Sequence, residues 1–414
     1  MFGRILSQLI RHGTLTVIHF SGVSETFGDG LPHVTVRLHD RRAAMDLLLQ
    51  PGLKLGELYM DERLTLEEGT LSDLLGMLMN GRAHAQFVWW ENIVHFFRLL
   101  TRRFAQFNTT SKSKENVAHH YDLSGRLYDL FLGPDKQYSC AYFSTKDETL
   151  EEAQIGKKRH VAAKLHLNKP GLRVLDIGCG WGGLAVNLAK DCGANVLGVT
   201  LSEEQLAVAK ARAAKFQLQR NCKFELADYR ALGGRYDRIV SVGMFEHVGA
   251  PYYDVFFGKV RELLSDDGVM LLHTIGRTDG PGATNPWIAK YIFPGGYVPA
   301  LSEVTASVEK SGLIITDIEV LRLHYAETLR EWRRRFDNNR AQIAALFDER
   351  FCRMWEFYLV GSEMAFRYGG EVVFQVQLAK KVETLPITRD YMIESERTMR
   401  FAGTDRMPRS LNAA

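Results

Sequence analysis

Leu172 to Gly183 reads LRVLDIGCGWGG, and this stretch decides the fold. Val174, Leu175 and Ile177 form a short apolar β run that ends in Gly178, Cys179, Gly180, Trp181, Gly182 and Gly183. Glycines at alternate positions let the backbone bend tightly and approach a ligand where a Cβ would clash. The LAVNLAK segment that follows carries its apolar residues at helical spacing, so a helix N-terminus points at whatever the glycines cradle. Strand, bend and helix start together predict a site for a nucleotide-like cofactor. Gly178, Gly180 and Gly183 also satisfy the dinucleotide pattern GxGxxG, so the bend alone leaves the cofactor open.

Strands and helices alternate downstream of the bend. Asn195–Thr200 reads as a strand, and Ser202 caps a helix from Glu203 to about Gln217, with Gln205 placed as in a capping box. Cys222–Ala227, Asp237–Val242 and Gly268–Ile275 are further strands, and Pro251–Leu264 is helical. The series predicts an α/β fold, a doubly wound, mostly parallel sheet with crossover helices. Gly276–Ala300, punctuated by proline and glycine, breaks the rhythm as an insertion or lid. A helical stretch from Ala326 to about Phe366 follows, and the strand Glu371–Ala379 is expected to close the sheet.

Upstream, residues 1–107 read as a small α+β domain. Two alternating runs, Thr14–Phe20 and His33–His39, flank a turn at Phe27-Gly-Asp-Gly, and Leu71–Leu78 is helical with Thr70 as its N-cap. Within Gln86–Phe107, Trp90, Ile93, Phe97, Leu100, Phe104 and Phe107 share one helical stripe opposite Arg98 and Arg102. Such a helix suits a membrane interface or an interdomain contact. The polar run 108–116 is the linker, 117–400 the second domain and 401–414 a tail.

The chain of 414 residues is long enough for two domains, and its net charge of +3 gives no global signature of nucleic-acid binding. Five scattered cysteines without a CxxC pair argue for a reducing compartment and against both a disulfide framework and a zinc site, so no metal is expected. The N-terminus has no apolar run suited to a signal peptide, and no window offers the ~20 apolar residues of a membrane span. A cytoplasmic location is the expectation.

Ligands of such sheets sit at the carboxyl ends of the strands. Those ends carry Gly178 and Gly180, Thr200 and Leu201, Asp228 and Tyr229, Glu246 and His247, and His273. A dehydrogenase would place an acidic residue after the second strand, where this chain reads VTLSEEQ. Asp176 before the glycines and Asp228 after a later strand suit S-adenosylmethionine better: Asp228 can accept from an adenine amino group, while Gln205 and the Thr200 region reach a ribose. Asp228 also reads simply as a turn or cap.

The motifs VLDIGCGWGGLA, GVTLSEEQ, HHYDLSGRLYDLFLG, YSCAYF, FEHVG, IFPGGYVP and HYAETLREW occur in order. Over about His119 to Lys380 the chain resembles the cyclopropane-fatty-acyl-phospholipid synthases, and its N-terminal domain is similar to that of the bacterial phospholipid enzymes. The resemblance implies a class I methyltransferase (Rossmann-like) catalytic domain. It implies transfer of a methylene group from S-adenosylmethionine to a cis double bond of an unsaturated phospholipid acyl chain. It further implies a homodimer working at the inner face of the membrane. An isolated olefin is a poor nucleophile, and its methylation leaves a carbocation, so such a site needs an anion or base, an apolar tunnel and exclusion of water.

The resemblance supplies the anion as a bound bicarbonate, with ligands matching Cys140, Glu246, His273, the backbone of Ile275, and Tyr325. Tyr138 and Ser139 carry over as cofactor contacts beside Gly178, Gly180, Gly182, Thr200, Leu201, Gln205 and Tyr229. Taken singly, Cys140 reads as a small buried residue, Glu246 and His273 as a structural pair, and Tyr325 as core. Arg330, Arg333, Arg334 and Arg335 suit lipid phosphates or form a solvated face. Ser362 stands where some relatives carry a cysteine, so no nucleophile is expected there. Two rivals stay open. One is a fatty-acyl C-methyltransferase that leaves a methyl branch or a methylated olefin; the other is a lipid-binding protein with a decayed catalytic domain.

Overall fold

The computed structural model describes residues 2–82 and 125–399. The amphipathic run 86–107, the linker 108–116 and the tail 401–414 lie outside the described residues, as do His119 to Ser124. The chain forms two compact units interleaved in sequence. The first takes the described part of Met1–Ala105 together with Gly282–Gly296 and Tyr325–Glu371; the second takes the rest. Two segments read from sequence as part of the second domain therefore group with the first. No helix among the described residues is long and apolar enough to cross a membrane.

In the first unit, β1 (Gly13–Ile18), β2 (Ser24–Asp29), β3 (His33–Leu38) and β4 (Leu64–Glu68) form a sheet in the order β2-β1-β3-β4. Phe27 and Gly28 lie inside β2 and pair with Leu15 and Thr14, so the turn expected there falls elsewhere. Gly28 adopts φ +75°, which a turn reading favours, but the ladder to β1 absorbs it. Leu71–Arg82 is helical and capped as expected: Asp73 N donates to Thr70 Oγ1 at 3.1 Å, and Thr70 N donates to Asp73 Oδ2 at 3.1 Å. Leu74, Leu75 and Met77 of this helix share a core with Val34, Val36, Val360 and Met364.

The Ala326–Phe366 stretch is three helices, His324–Asn338, Arg340–Leu346 and Glu349–Tyr368. Asp348 ends the second break by accepting from Phe351 N at 2.6 Å, a cap invisible to apolar periodicity. The proline-rich insertion is packed rather than loose. Trp287, 1% exposed, lies against Phe357 with ring centroids 4.8 Å apart, and Lys290 and Tyr291 both reach Glu57, at 2.7 and 3.0 Å.

The second unit holds β5 (Arg173–Ile177), β6 (Asn195–Thr200), β7 (Cys222–Leu226), β8 (Tyr236–Val242), β9 (Leu264–Arg277), β10 (Ile314–Leu321) and β11 (Glu371–Ala379). Their order is β10-β11-β9-β8-β5-β6-β7, with β5 through β9 parallel and β10 antiparallel to β11. β11 is therefore not the closing strand. It lies inside the sheet, and β10, which alternates too weakly to be read from sequence, forms the edge. β9 is also longer than read, beginning where the helix Tyr253–Leu263 stops.

Alternate residues feed two cores. Leu175, Ile177, Ile239 and Leu272 pack with Phe256, Val260 and Val304 on one face, while Val174, Val240 and Leu271 pack with Leu184, Leu188 and Ala209 on the other. Helices on both faces make the sheet doubly wound. The strand order reverses between β5 and β8, and the crevice at that point opens at the strands' carboxyl ends.

Candidate active site

The crevice is a cleft of about 1220 Å³, its open mouth included, entirely within the second unit. β5 delivers Gly178 and Gly180, β6 delivers Thr200 and Leu201, and the turn after β7 delivers Asp228 and Tyr229. Tyr138, Ser139 and Gln205 complete the set, so nine of the ten residues read as cofactor contacts line one cleft. Gly182 does not. A Cβ there would lie 2.8 Å from Ala209 Cβ and 2.8 Å from the Phe224 ring, so this glycine serves helix-to-sheet packing behind the cleft. A Cβ on Gly180 would meet nothing within 4 Å.

Gln205 does not close the expected capping box. Ser202 Oγ accepts from Gln205 N at 3.3 Å, but Gln205 Oε1 accepts from Thr200 Oγ1 at 2.8 Å instead of returning to Ser202. The side chain is thereby held at the cleft. Asp228 both lines the cleft and caps the following turn, accepting from Arg230 N at 2.9 Å and pairing with Arg230 Nη2 at 2.6 Å. Both readings of it are present at once.

A second group lies in the same unit. Glu246 Oε1 accepts from Ile275 N at 2.7 Å, and Glu246 Oε2 is buried with no hydrogen-bond partner among the described residues. Burial pushes the Glu246 carboxyl up to about 7, against the pull of the Ile275 N–H. His273, two residues before Ile275 and so on the same face of β9, is 2% exposed, and burial drives its imidazole down to about 3. Gln375 lies 3.1 Å from His273 Nδ1. Gly243 N donates to the His273 carbonyl, and a Cβ on Gly243 would reach Ser139 Cβ at 4.0 Å, which joins the YSCAYF segment to this end of the sheet.

Cys140 is fully buried, donates its thiol to the Ala141 carbonyl at 3.2 Å, and has its pKa raised by burial. It is a neutral thiol, not a nucleophile. Tyr142 anchors the segment by stacking between His160 and His324, with ring centroids 4.1 and 4.8 Å away. Tyr325 belongs to the first unit, where its ring packs on Phe366 at 4.8 Å and Trp332 at 5.7 Å; its carried-over role rests on the resemblance alone.

The residues present suit an anion. A neutral imidazole and a carboxyl that is easily protonated near neutral pH can both donate without adding charge, and Glu246 Oε2 has no other partner among the described residues. The arginine run is occupied otherwise. Arg330 pairs with Glu327 at 2.6 Å and Arg334 with Glu331 at 3.0 Å, while Arg333 donates to Ser72 at 2.7 Å. This is a paired helix face.

Sequence reading missed Lys157 and Gln375. Gln375 sits inside a strand that was read, Glu371–Ala379, but Lys157 lies in LEEAQIGKKRHVAAK, which carries no signal beyond that of an ordinary charged helix.

The Glu246 shift has a consequence for stability. A carboxyl whose folded pKa lies above its unfolded value stabilises the fold only while protonated, and that contribution is lost as pH rises from about 4.5 to about 7. At pH 8 the buried carboxylate costs on the order of 3 kcal/mol. Glu246→Gln is therefore expected to melt higher than the unaltered protein at pH 8 and level with it at pH 4, checked by calorimetry across that range. A difference that shrinks as pH rises would refute the assignment.

A doubly wound sheet with a glycine-cradled cleft at its switch point defines a protein of the class I methyltransferase fold. Residues 108–376 match the mycolic acid cyclopropane synthetase family, and the chain belongs to that family. It is 43% identical over 290 residues to a probable fatty acid methyltransferase of Pseudomonas putida, covering 67% of this chain and 73% of that one. It is 42% identical over 279 residues to the cyclopropane-fatty-acyl-phospholipid synthase of Escherichia coli K12, covering 67% and 71%. Among solved structures, the cyclopropane synthase MmaA2 from Mycobacterium tuberculosis matches at 37% identity and TM-score 0.61, covering 64% of this chain and 98% of that one.

Proposed function

We propose that the protein transfers a methylene group from S-adenosylmethionine to the cis double bond of an unsaturated acyl chain in a membrane phospholipid, forming a cyclopropane. The observation that carries the reading is Glu246. Its carboxyl is buried, pushed up to about 7 and, among the described residues, unpartnered at Oε2; it adjoins His247 of the glycine-lined cleft, in a chain similar to a cyclopropane-fatty-acyl-phospholipid synthase.

Held by Ser139, Thr200, Gln205 and Asp228 at the cleft, S-adenosylmethionine would supply a methyl group to one olefinic carbon, with S-adenosylhomocysteine as the leaving group and a carbocation left on the acyl chain. Loss of a proton from the new methyl group lets its C–H electron pair close the three-membered ring. A bicarbonate ion held by Cys140, Glu246, His273 and the backbone of Ile275 would supply the base for that proton. Glu246 holds the adjoining exchangeable proton at Oε2, Ile275 N fixes Oε1, and His273 stays neutral so that it donates without adding charge. Burial of Cys140, Glu246 and His273 excludes water that would trap the cation. The lipid substrate places the enzyme peripherally on the cytoplasmic membrane face, and the resemblance supports a homodimer.

The Pseudomonas putida relative favours one rival, a fatty-acyl C-methyltransferase. Mass spectrometry of lipids from an expressing host separates the two. A gain of one CH2 with loss of the double bond is expected; a gain of one CH2 with the double bond retained would sink the cyclopropane reading. No S-adenosylhomocysteine from unsaturated phospholipid vesicles would point to a decayed lipid-binding protein.

A further inference from the structure

Lys157 is 1% exposed, yet among the described residues no carboxylate lies within ion-pair distance of it. Its Nζ donates to Gln137 Oε1 at 2.6 Å and to Ser139 Oγ at 2.8 Å. The neighbouring Lys158 is served differently, by Asp135 at 2.8 Å and Asn187 at 2.7 Å. Gln154, one turn earlier on the same helix, donates to the Ser139 carbonyl at 3.0 Å, and Tyr142 N donates to Ala153 O at 3.0 Å. Residues 137–142 are thus tied to the helix Leu150–Lys164 at successive points. Packing alone would be met by methionine or leucine, whereas a buried amine without a counter-charge is costly. Burial pulls Lys157 down to about 7, the measure of that cost.

What the amine does is set by its chemistry. As an ammonium, Lys157 has donors and no acceptor, so it uses acceptor lone pairs on Ser139 Oγ and Gln137 Oε1. The Ser139 hydroxyl proton and the Gln137 amide protons are then free to face other acceptors, and both residues line the cleft. We propose that Lys157 is a positioning residue that turns Ser139 and Gln137 into a pair of donors for an acceptor group of the bound cofactor, with a carboxylate the best match in chemistry. Asp176 also lines the cleft, 2% exposed and with Oδ2 lacking a partner among the described residues; burial pushes its carboxyl up to about 7, and the Lys157 charge pulls against that shift. The inference rests on the reading that the cleft holds S-adenosylmethionine.

The test is S-adenosylhomocysteine binding to the full chain by calorimetry, with a melting curve for each variant. Lys157→Met keeps the length and removes the donor, and is expected to weaken binding about tenfold or more. Ser139→Ala should weaken it less, and adding Ser139→Ala to Lys157→Met should cost little further, because the hydroxyl is aimed only while the amine holds it. Binding by Lys157→Met within twofold of the unaltered protein overturns the proposal, as do effects of the two substitutions that simply multiply. Should Lys157→Met not fold, Ser139→Ala and Gln137→Leu carry the same test: each removes one acceptor, and unchanged binding by both overturns it. An unaltered chain that does not bind S-adenosylhomocysteine at all sinks the cofactor reading itself, a separate outcome.

Discussion

Glu246→Gln is expected to lower turnover by about a thousandfold, the scale of removing a positioned proton-exchanging group at a developing charge. The amide can still accept from Ile275 N through its oxygen, so the 2.7 Å bond that orients the side chain survives. What is lost is the second oxygen. Oε2, buried and without a partner, becomes an NH2 that can donate but never take up or hand on a proton. Glu246 does not line the cofactor cleft, so S-adenosylhomocysteine affinity should be nearly unchanged. Product release measured on unsaturated phospholipid vesicles, beside calorimetric binding, separates the two effects. Near-normal turnover by this variant would remove Glu246 from the chemistry.

The second large effect is a divergence between two glycines two residues apart. Gly180 sits at φ +54° with open space where a Cβ would project, on the wall of the cleft. Gly180→Ala is expected to cost about 1–2 kcal/mol of stability from the left-handed backbone. Its methyl would also occupy room that the ligand needs, so binding should weaken about tenfold or more. Gly182, at φ +77°, is blocked by Ala209 and Phe224 instead. Gly182→Ala should combine the same strain with overpacking, for about 2–5 kcal/mol in all, and leave affinity intact in whatever fraction folds. Melting curves and calorimetric titrations of the pair give both quantities. Equal losses of affinity would mean that the glycines act as one flexible bend.

The parallel core of the sheet was legible because its strands are short apolar runs bounded by turn residues. Asn195–Thr200 came out at the boundaries the structure gives, and Asp237–Val242 starts within one residue. The site's outer half was legible for a related reason: the residues at strand ends are where a doubly wound sheet must place a ligand. The edge strand Ile314–Leu321 escaped because five of its eight side chains are only partly buried, which blurs alternation, and its register shifts between Ile315 and Asp317. Without that strand, Glu371–Ala379 looked like the end of the sheet. The arginine run showed why charge alone misleads, since its partners Glu327 and Glu331 lie three residues away on the same helix.

By itself the sequence determined the class of fold, the switch-point cleft and the family, because glycines, apolar runs and strand-end polar residues impose local constraints that hold wherever the rest of the chain goes. Only the tertiary structure decided the protonation chemistry. Glu246, His273 and Lys157 are ordinary residues in a linear reading. Their ionisation moves because packing removes water from each, and the partners that replace it among the described residues, the Ile275 N–H for Glu246, the Gln375 amide for His273 and two neutral oxygens for Lys157, carry no charge. Desolvation depends on every neighbour at once, and LEEAQIGKKRHVAAK makes the point most sharply. It reads as a solvated helix, yet Gln154, Lys157, Lys158, His160 and Lys164 are all buried, each against a partner distant in sequence.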